Sequence, residues 1–180
     1  HNASQFIAAV ADVYATTTYS TRYVFGVLDQ KQLSTALRLN WTFTPKLSFQ
    51  LFLQPLLSTG SFPGIMELAQ PGTFTFNRYG EGKSQISFAD GQYTIYPNGP
   101  AGQAPGFRIG NPDFNFKSLR ANAVFRWEYL PGSTMYFVWT NEKMDYESRG
   151  DFTFERDVSR LMRMPPDNVY SIKITYWINP

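Results

Sequence analysis

The chain has 180 residues, 16 Lys and Arg against 14 Asp and Glu, and a formal net charge of +2. That balance, with no basic run, leaves no electrostatic footprint for nucleic acid, and the absence of cysteine excludes disulfides, thiol catalysis and Cys-based metal sites. Aromatic residues make up 17% of the chain although its mean hydropathy is −0.31, the balance of porin-type strands, whose alternate residues are polar and whose ends carry rings.

The only histidine, His1, is terminal and is expected to have no role. No apolar run approaches the roughly 18 residues of a transmembrane helix. There is no start methionine or signal peptide, so the chain reads as a mature or excised piece of something longer. Within residues 2–30, "SQFIAAVADVY" is compatible with a helix or a strand, and "RYVFGVL" with an extension of the strand that follows.

The first clear period-two segment is 31–44, "KQLSTALRLNWTFT", with Leu33, Leu37, Leu39, Trp41 and Phe43 on one face and Gln32, Ser34, Arg38, Asn40 and Thr42 on the other. A tight turn at Thr44-Pro45-Lys46 leads into a second strand, 46–58, with Leu47, Phe49, Leu51, Leu53 and Leu57 against Ser48, Gln50, Gln54 and Ser58. Residues 59–116 read as a long loop, a length seldom met in a compact soluble domain. Inside it, Asp90-Gly91 marks a hairpin between short alternating runs.

The third strand, 117–130, sets Leu119, Ala121, Ala123, Phe125, Trp127 and Tyr129 against Ser118, Arg120, Asn122, Arg126 and Glu128. After Leu130-Pro131-Gly132 comes a strand at 133–141 whose two faces are both semi-apolar and cannot be oriented. Residues 142–167 read as a second long loop, with one or two helical turns at 157–164 stopped by Pro165-Pro166 and taken as a loop plug in preference to a membrane anchor. The last strand, 168–178, alternates Tyr170, Ile172, Ile174, Tyr176 and Ile178 with Ser171, Lys173, Thr175 and Trp177.

Short turns alternate with long loops, as in outer-membrane barrels with periplasmic turns and extracellular loops. Trp41, Phe43, Trp127, Tyr129 and Tyr176 fall at the same ends of three strands and predict an aromatic girdle. The strands, at about 11–14 residues, exceed the globular mode and suffice to cross a bilayer at the usual tilt.

The blocks "RYVFGVLDQKQLS", "LNWTFTPKLSFQLFLQPLLSTGSF", "ELAQPGTFTFNRYGE", "SLRANAVFRWEYLPGSTMYFVWT" and "PPDNVYSIKITYW" resemble the C-terminal part of a bacterial family. Its members join a carbohydrate-binding family-9-like module to a large outer-membrane β-barrel domain of unknown function. The similarity runs from Gln5 to Trp177. It implies a bacterial outer-membrane location and a barrel fold, and it brings no catalytic residues. The binding module and most of the barrel strands lie outside this sequence.

The expectation is an all-β fold, the C-terminal strands of an antiparallel transmembrane (outer-membrane) β-barrel with long extracellular loops. About five strands cannot close a barrel, for which eight is the smallest number. Missing N-terminal strands, other copies or another chain must complete it. Partners are then outer-membrane lipid and, during assembly, the barrel-insertion machinery, which would read the alternating last strand. Arg38, Asn40, Arg120, Asn122, Arg126, Glu128 and Lys173 are expected to face the lumen, as a mildly cationic lining or as structural ladders.

Phe74, Phe76, Asn77, Arg78, Tyr79, Tyr93 and Tyr96 in the first loop could stack on and hydrogen-bond a glycan or protein, or pack the loop on itself. Asp113, Asp145, Glu147 and Asp151 offer oxygen ligands for calcium but match no EF-hand spacing. Arg149-Gly150-Asp151 spells an adhesion tripeptide, and Asn2-Ala3-Ser4 and Asn40-Trp41-Thr42 fit the glycosylation sequon. Without an internal His, a Cys, a nucleophile elbow or a phosphate loop, no catalysis, metal or cofactor is expected. The functional expectation is envelope transport or ligand capture, carbohydrate included. The alternatives are a structural subunit of a larger surface complex and a soluble β-sandwich that binds glycans.

Overall fold

The computed structural model describes residues 2–178, so His1 lies outside the described residues. The fold is all-β with one helix, and the registered strand pairs are antiparallel. In chain order the elements are β1 (Asn2–Ala11), β2 (Thr21–Ser34), β3 (Leu37–Thr44), β4 (Leu47–Leu68), β5 (Phe76–Arg78), β6 (Gln85–Ala89), β7 (Gln92–Tyr96), β8 (Phe107–Gly110), β9 (Phe114–Leu130), β10 (Ser133–Glu147), α1 (Phe154–Arg163) and β11 (Asp167–Thr175). They divide into two units. The first holds residues 2–31, Thr59–Phe114 and Ser148–Asp151; the second holds Gln32–Ser58, Asn115–Glu147 and residues 152–178.

In the first unit, β1 and β2 form a hairpin across a short 3-10 turn at Thr16–Thr18. Tyr19 and Ser20 take left-handed backbone angles (φ 56° and 58°) to reverse the chain there. The ambiguous N-terminal segment is therefore strand, because β2 supplies its ladder. Val24, Ile65, Tyr79, Ile95 and Ile109 form a buried cluster, flanked by Ile7, Ala8, Phe62, Ile86, Tyr93 and Phe107. A small sheet, β6-β7-β8, contributes Ile95 and Ile109 to the cluster and Ile86, Tyr93 and Phe107 to its flank. Its first turn is the expected Asp90-Gly91 pair, with both residues at positive φ (52° and 74°), as a two-residue hairpin loop needs.

The expected loop 59–116 needs correction. β4 runs on to Leu68 and pairs with β5, and the irregular stretches are confined to 69–75 and the connections around β6–β8. Gly60 and Gly64, which suggest a loop in the sequence, lie inside the strand. At Gly60 a Cβ would come within 2.3 Å of the Phe114 ring, so the missing side chain makes room for a ring. Gly26 does the same for Phe62.

The second unit has the strand order β3, β4, β9, β10, β11. The predicted strand 31–44 is two strands, broken at Thr35 and Ala36. Leu37 pairs with Leu53, which brings Thr35 opposite Pro55; Pro55 has no N–H for the ladder, although its carbonyl still accepts from Thr35 N at 3.3 Å. β3 and β4 join through Pro45-Lys46, and β9 and β10 through Pro131-Gly132, where Gly132 has φ 75°.

β10 extends to Glu147, six residues past its expected end. The second loop contains α1, with Glu155 and Asp157 in its first turn, Arg160 and Arg163 in its last, and Pro165-Pro166 beyond. β11 stops at Thr175 rather than 178. Its partner strand ends there: Thr134 pairs with Thr175, and Trp177 N turns instead to the Ser133 hydroxyl at 2.9 Å.

Candidate functional site

Register sorts the second unit's side chains into two faces. On one, Leu37, Leu39 and Trp41 lie opposite Leu53, Leu51 and Phe49. The same face of β9 and β10 pairs Phe125 with Phe137 and Trp127 with Met135, and β11 adds Tyr170, Ile172 and Ile174. β10, unorientable in the sequence, thus places Met135, Phe137 and Trp139 on the apolar side. Among the described residues of this unit no second layer covers these rows: Leu37, Leu39, Trp41, Phe43, Trp127, Phe137, Tyr170, Ile172 and Ile174 are 40–67% exposed.

The other face is polar and carries every residue expected there. Arg126, Tyr136 and Lys173 form one cross-strand row, and Glu128, Thr134 and Thr175 the next. Arg120 Nε bonds Glu142 at 2.8 Å, Arg126 lies 3.7 Å from Glu128, and Asn122 donates to Thr140 at 2.9 Å. Arg38, Asn40 and Asn122 line a cavity of about 470 Å³ with Gln50, Leu51, Phe52 and Val124, and the Arg38 guanidinium lies 5.2 Å over the Phe52 ring. Gln50 lies on this face as its alternation predicts, whereas Tyr136 and Thr140 were missed because β10 could not be oriented without its register to β9.

The predicted girdle rings gather at the turn end of this unit. Trp41 stacks on Phe43 at 5.3 Å, Trp127 meets Tyr129 edge-on at 6.1 Å, and the Tyr129 hydroxyl donates to Thr175 O at 3.0 Å. Lys46 O accepts from Glu128 N at 2.8 Å, which brings the two turns to one level. Tyr176 follows the end of β11 and is exposed.

The first unit holds a polar cleft of about 370 Å³. Phe76, Asn77, Arg78 and Tyr79 line it together with Glu67, Glu81, Lys83, Ser84 and Asn98. Beneath it the Arg22 guanidinium bridges Asp12 at 2.6 Å and Glu67 at 2.5 Å, and the Tyr79 hydroxyl donates to Glu67 at 2.8 Å. Burial, then the Glu67 charge, pushes the Tyr79 phenol far above its ordinary value. Burial would lower the Arg22 pKa, but the bonds to Glu67 and Asp12 raise it overall. Of the other loop candidates, Phe74 stands 97% exposed, Tyr93 packs on Phe88 at 4.7 Å, and Tyr96 stacks against Gly106. Glu67 and Arg22 escaped the sequence reading because one lay in an apparent loop and the other in an unassigned segment.

The four acidic loop residues do not assemble. Asp113 accepts from Phe62 N at 2.9 Å, and Asp151 is clasped by Arg149 through two bonds of 2.6 and 2.9 Å, which ties the adhesion tripeptide to itself. Asp145 and Glu147 both take Lys117, which is fully buried, at 2.9 Å; Arg160 of α1 reaches them at 2.6 and 3.3 Å. Burial would raise the Asp145 pKa, but hydrogen bonds from Arg160 and Lys117 hold it below its ordinary value.

α1 packs on the face that carries Phe125 and Trp127. Its contacts are Asp157 with Asn115 at 3.1 Å, Arg160 with Asp145, and Met162 O with Lys143 at 2.8 Å, and all three strand residues share that face's parity. A plug on the polar side is thereby corrected.

A family model described as a domain of unknown function (DUF5916) matches residues 5–179, and the chain belongs to that family. No curated protein matches the chain, and no solved structure does.

Proposed function

We propose that this DUF5916 chain supplies wall strands of an outer-membrane β-barrel, with the apolar face of the second unit against lipid and the polar face lining a lumen for transport or ligand capture. The observation that carries this reading is the uncovered apolar face described above. In water, a contiguous apolar surface of this extent marks a missing partner. In a bilayer, lipid is that partner, and the girdle rings at the turn end fall where headgroups meet acyl chains. A glycan-binding sandwich would need a second layer over the same face.

The outer edges of β3 and β11 also support the reading. Each is terminal in the second unit's strand order, so its backbone groups need partners within hydrocarbon. Further strands of the same protein or of another chain would satisfy them and close the barrel, with β11 as the strand presented to the insertion machinery. The polar cavity at Arg38, Asn40 and Asn122 then lies along the solute path, and the cleft over Glu67 and Arg22 is a second place for a polar ligand such as a carbohydrate. The reading assigns this chain no catalysis.

The test is to reconstitute the full-length protein and measure detergent-phase partitioning and solute entry into vesicles. Partition into detergent with solute flux is the expected result. A protein that stays aqueous and monomeric without detergent overturns the barrel. Membrane insertion without flux, together with fixed co-purifying partners, replaces transport by a structural role in a surface complex.

A further inference from the structure

We infer that α1 is an interfacial helix on the lipid side of the sheet, and that Lys143 and Arg163 beside it bind the phosphate groups of the lipid in the leaflet at that end of the strands. The inference rests on the barrel reading and adds to it a lipid site at one height of the wall.

The face bearing α1 changes character along β9 and β10. From Leu119 to Tyr129, and from Trp139 to Met135, it carries apolar and aromatic residues with Ala121 and Ala123 between them. Beyond Leu119 it turns polar at Lys117 and Asn115, and beyond Asn141 at Lys143, Asp145 and Glu147. α1 lies on this polar end through Asp157, Arg160, Leu161 and Met162. A helix at the border between an apolar belt and a charged cap, on the side facing lipid, occupies the headgroup layer.

The charges point the same way. Lys117 and Arg160 neutralise Asp145 and Glu147, and Arg156 pairs with Asp157 at 2.9 Å. Among the described residues Lys143 and Arg163 have no ion pair. Lys143 Nζ is held on Met162 O, one residue before Arg163, so two unneutralised cations sit at the C-terminal end of the helix. Phe154 and Met162 are 54% and 51% exposed, apolar side chains of a helix otherwise rich in charge. Cations at the helix end together with exposed apolar side chains suit a phosphate-bearing leaflet rather than water.

These 180 residues lack cysteine, so single labels are placed after any cysteine elsewhere in the full-length protein is replaced by serine. Met162→Cys, Ile172→Cys and Asn122→Cys variants of the full-length protein carry an environment-sensitive dye in vesicles. Quenching at 162 is read with phosphatidylcholine or phosphatidylglycerol spin-labelled near the glycerol end of the acyl chain, and at 172 and 122 with the same lipids labelled near the chain terminus, the depth of the Phe125–Phe137–Ile172 row. The dyes at 162 and 172 should be quenched and that at 122 should not. At 162 the phosphatidylglycerol quencher should be preferred by roughly 30-fold, about fivefold for each of the two cations. Lys143→Gln with Arg163→Gln should bring that preference close to one. Arg163→Gln alone, which removes no side-chain hydrogen bond or ion pair among the described residues, should lower it part of the way.

A dye at 162 left unquenched while that at 172 is quenched overturns the inference and leaves the barrel standing. So does an unchanged lipid preference in both charge variants. An unquenched dye at 172, or a quenched one at 122, overturns the assignment of faces and the inference with it.

Discussion

Replacing Phe125 by arginine tests the assignment of the faces at its centre. Phe125 lies five residues from Leu130 at the turn, about 17 Å along the strand and about 12 Å in height at a 45° tilt. That is close to the middle of a hydrocarbon layer about 30 Å thick. On its own face the cross-strand row is Phe137 and then Ile172, so the guanidinium meets no carboxylate there. The first charged residue along β9 on that face is Lys117, eight positions or about 26 Å away, beyond the reach of an arginine side chain.

The cost should therefore take the midplane value of about 2–4 kcal/mol, a fall of roughly 30- to 900-fold in the folded-to-unfolded ratio. Val124→Arg is the matched control. Its row on the polar face is Val138 and Ser171, beside the cavity at Asn122, and it should cost under about 1 kcal/mol. Urea unfolding of the full-length protein in phospholipid vesicles, followed by tryptophan fluorescence, measures both. Equal costs for the two substitutions, or a larger one for Val124→Arg, would refute the assignment of faces.

Lys117→Met should destabilise the second unit by about 3 kcal/mol, the low end for a broken buried pair because Arg160 still faces both carboxylates and keeps α1 docked. Lys117→Met with Asp145→Asn should recover part of that loss, and hydrogen exchange over 154–163 reports the docking. In the parent protein, Asp145 has a depressed folded-state pKa, so its contribution is complete above the ordinary carboxylate value of 3.8 and is lost only as pH falls through the lower one. α1 should stay protected at pH 5 and open in stronger acid.

Arg22→Met should cost about 3–5 kcal/mol at pH 7 in urea unfolding, since it leaves Asp12 and Glu67 buried without their cation, and adding Asp12→Asn with Glu67→Gln should recover part of the loss. The Tyr79 phenol, with its raised pKa, contributes stability below the ordinary tyrosine value of 10.0 and loses it only as pH rises through the folded-state value. Ultraviolet titration should therefore show a phenol ionisation that appears only as the protein unfolds, and Tyr79→Phe should reduce the amplitude of that late step.

The sequence by itself determined the all-β class, the tight turns, the Asp90-Gly91 hairpin and the two-faced character of the strands in the second unit. These features are local: alternation needs only the pleat, and a turn needs only its own φ angles. Where loops were inferred from Gly and Pro, sequence reasoning went astray. Gly60 and Gly26 mark ring contacts with Phe114 and Phe62, partners distant in the chain, so local composition could not distinguish them from loop glycines.

Tertiary structure alone decided three things. Pro55 breaks the strand opposite it, which is visible only once register pairs Leu37 with Leu53. Arg22, Asp12, Glu67 and Tyr79 meet beneath the cleft because β2, β4 and the chain after β5 bring them together. α1 lies on the apolar-face side of β10 because Lys117 and Arg160 share the same two carboxylates, Asp145 and Glu147, and a helix carrying one of those cations must dock where its carboxylates point.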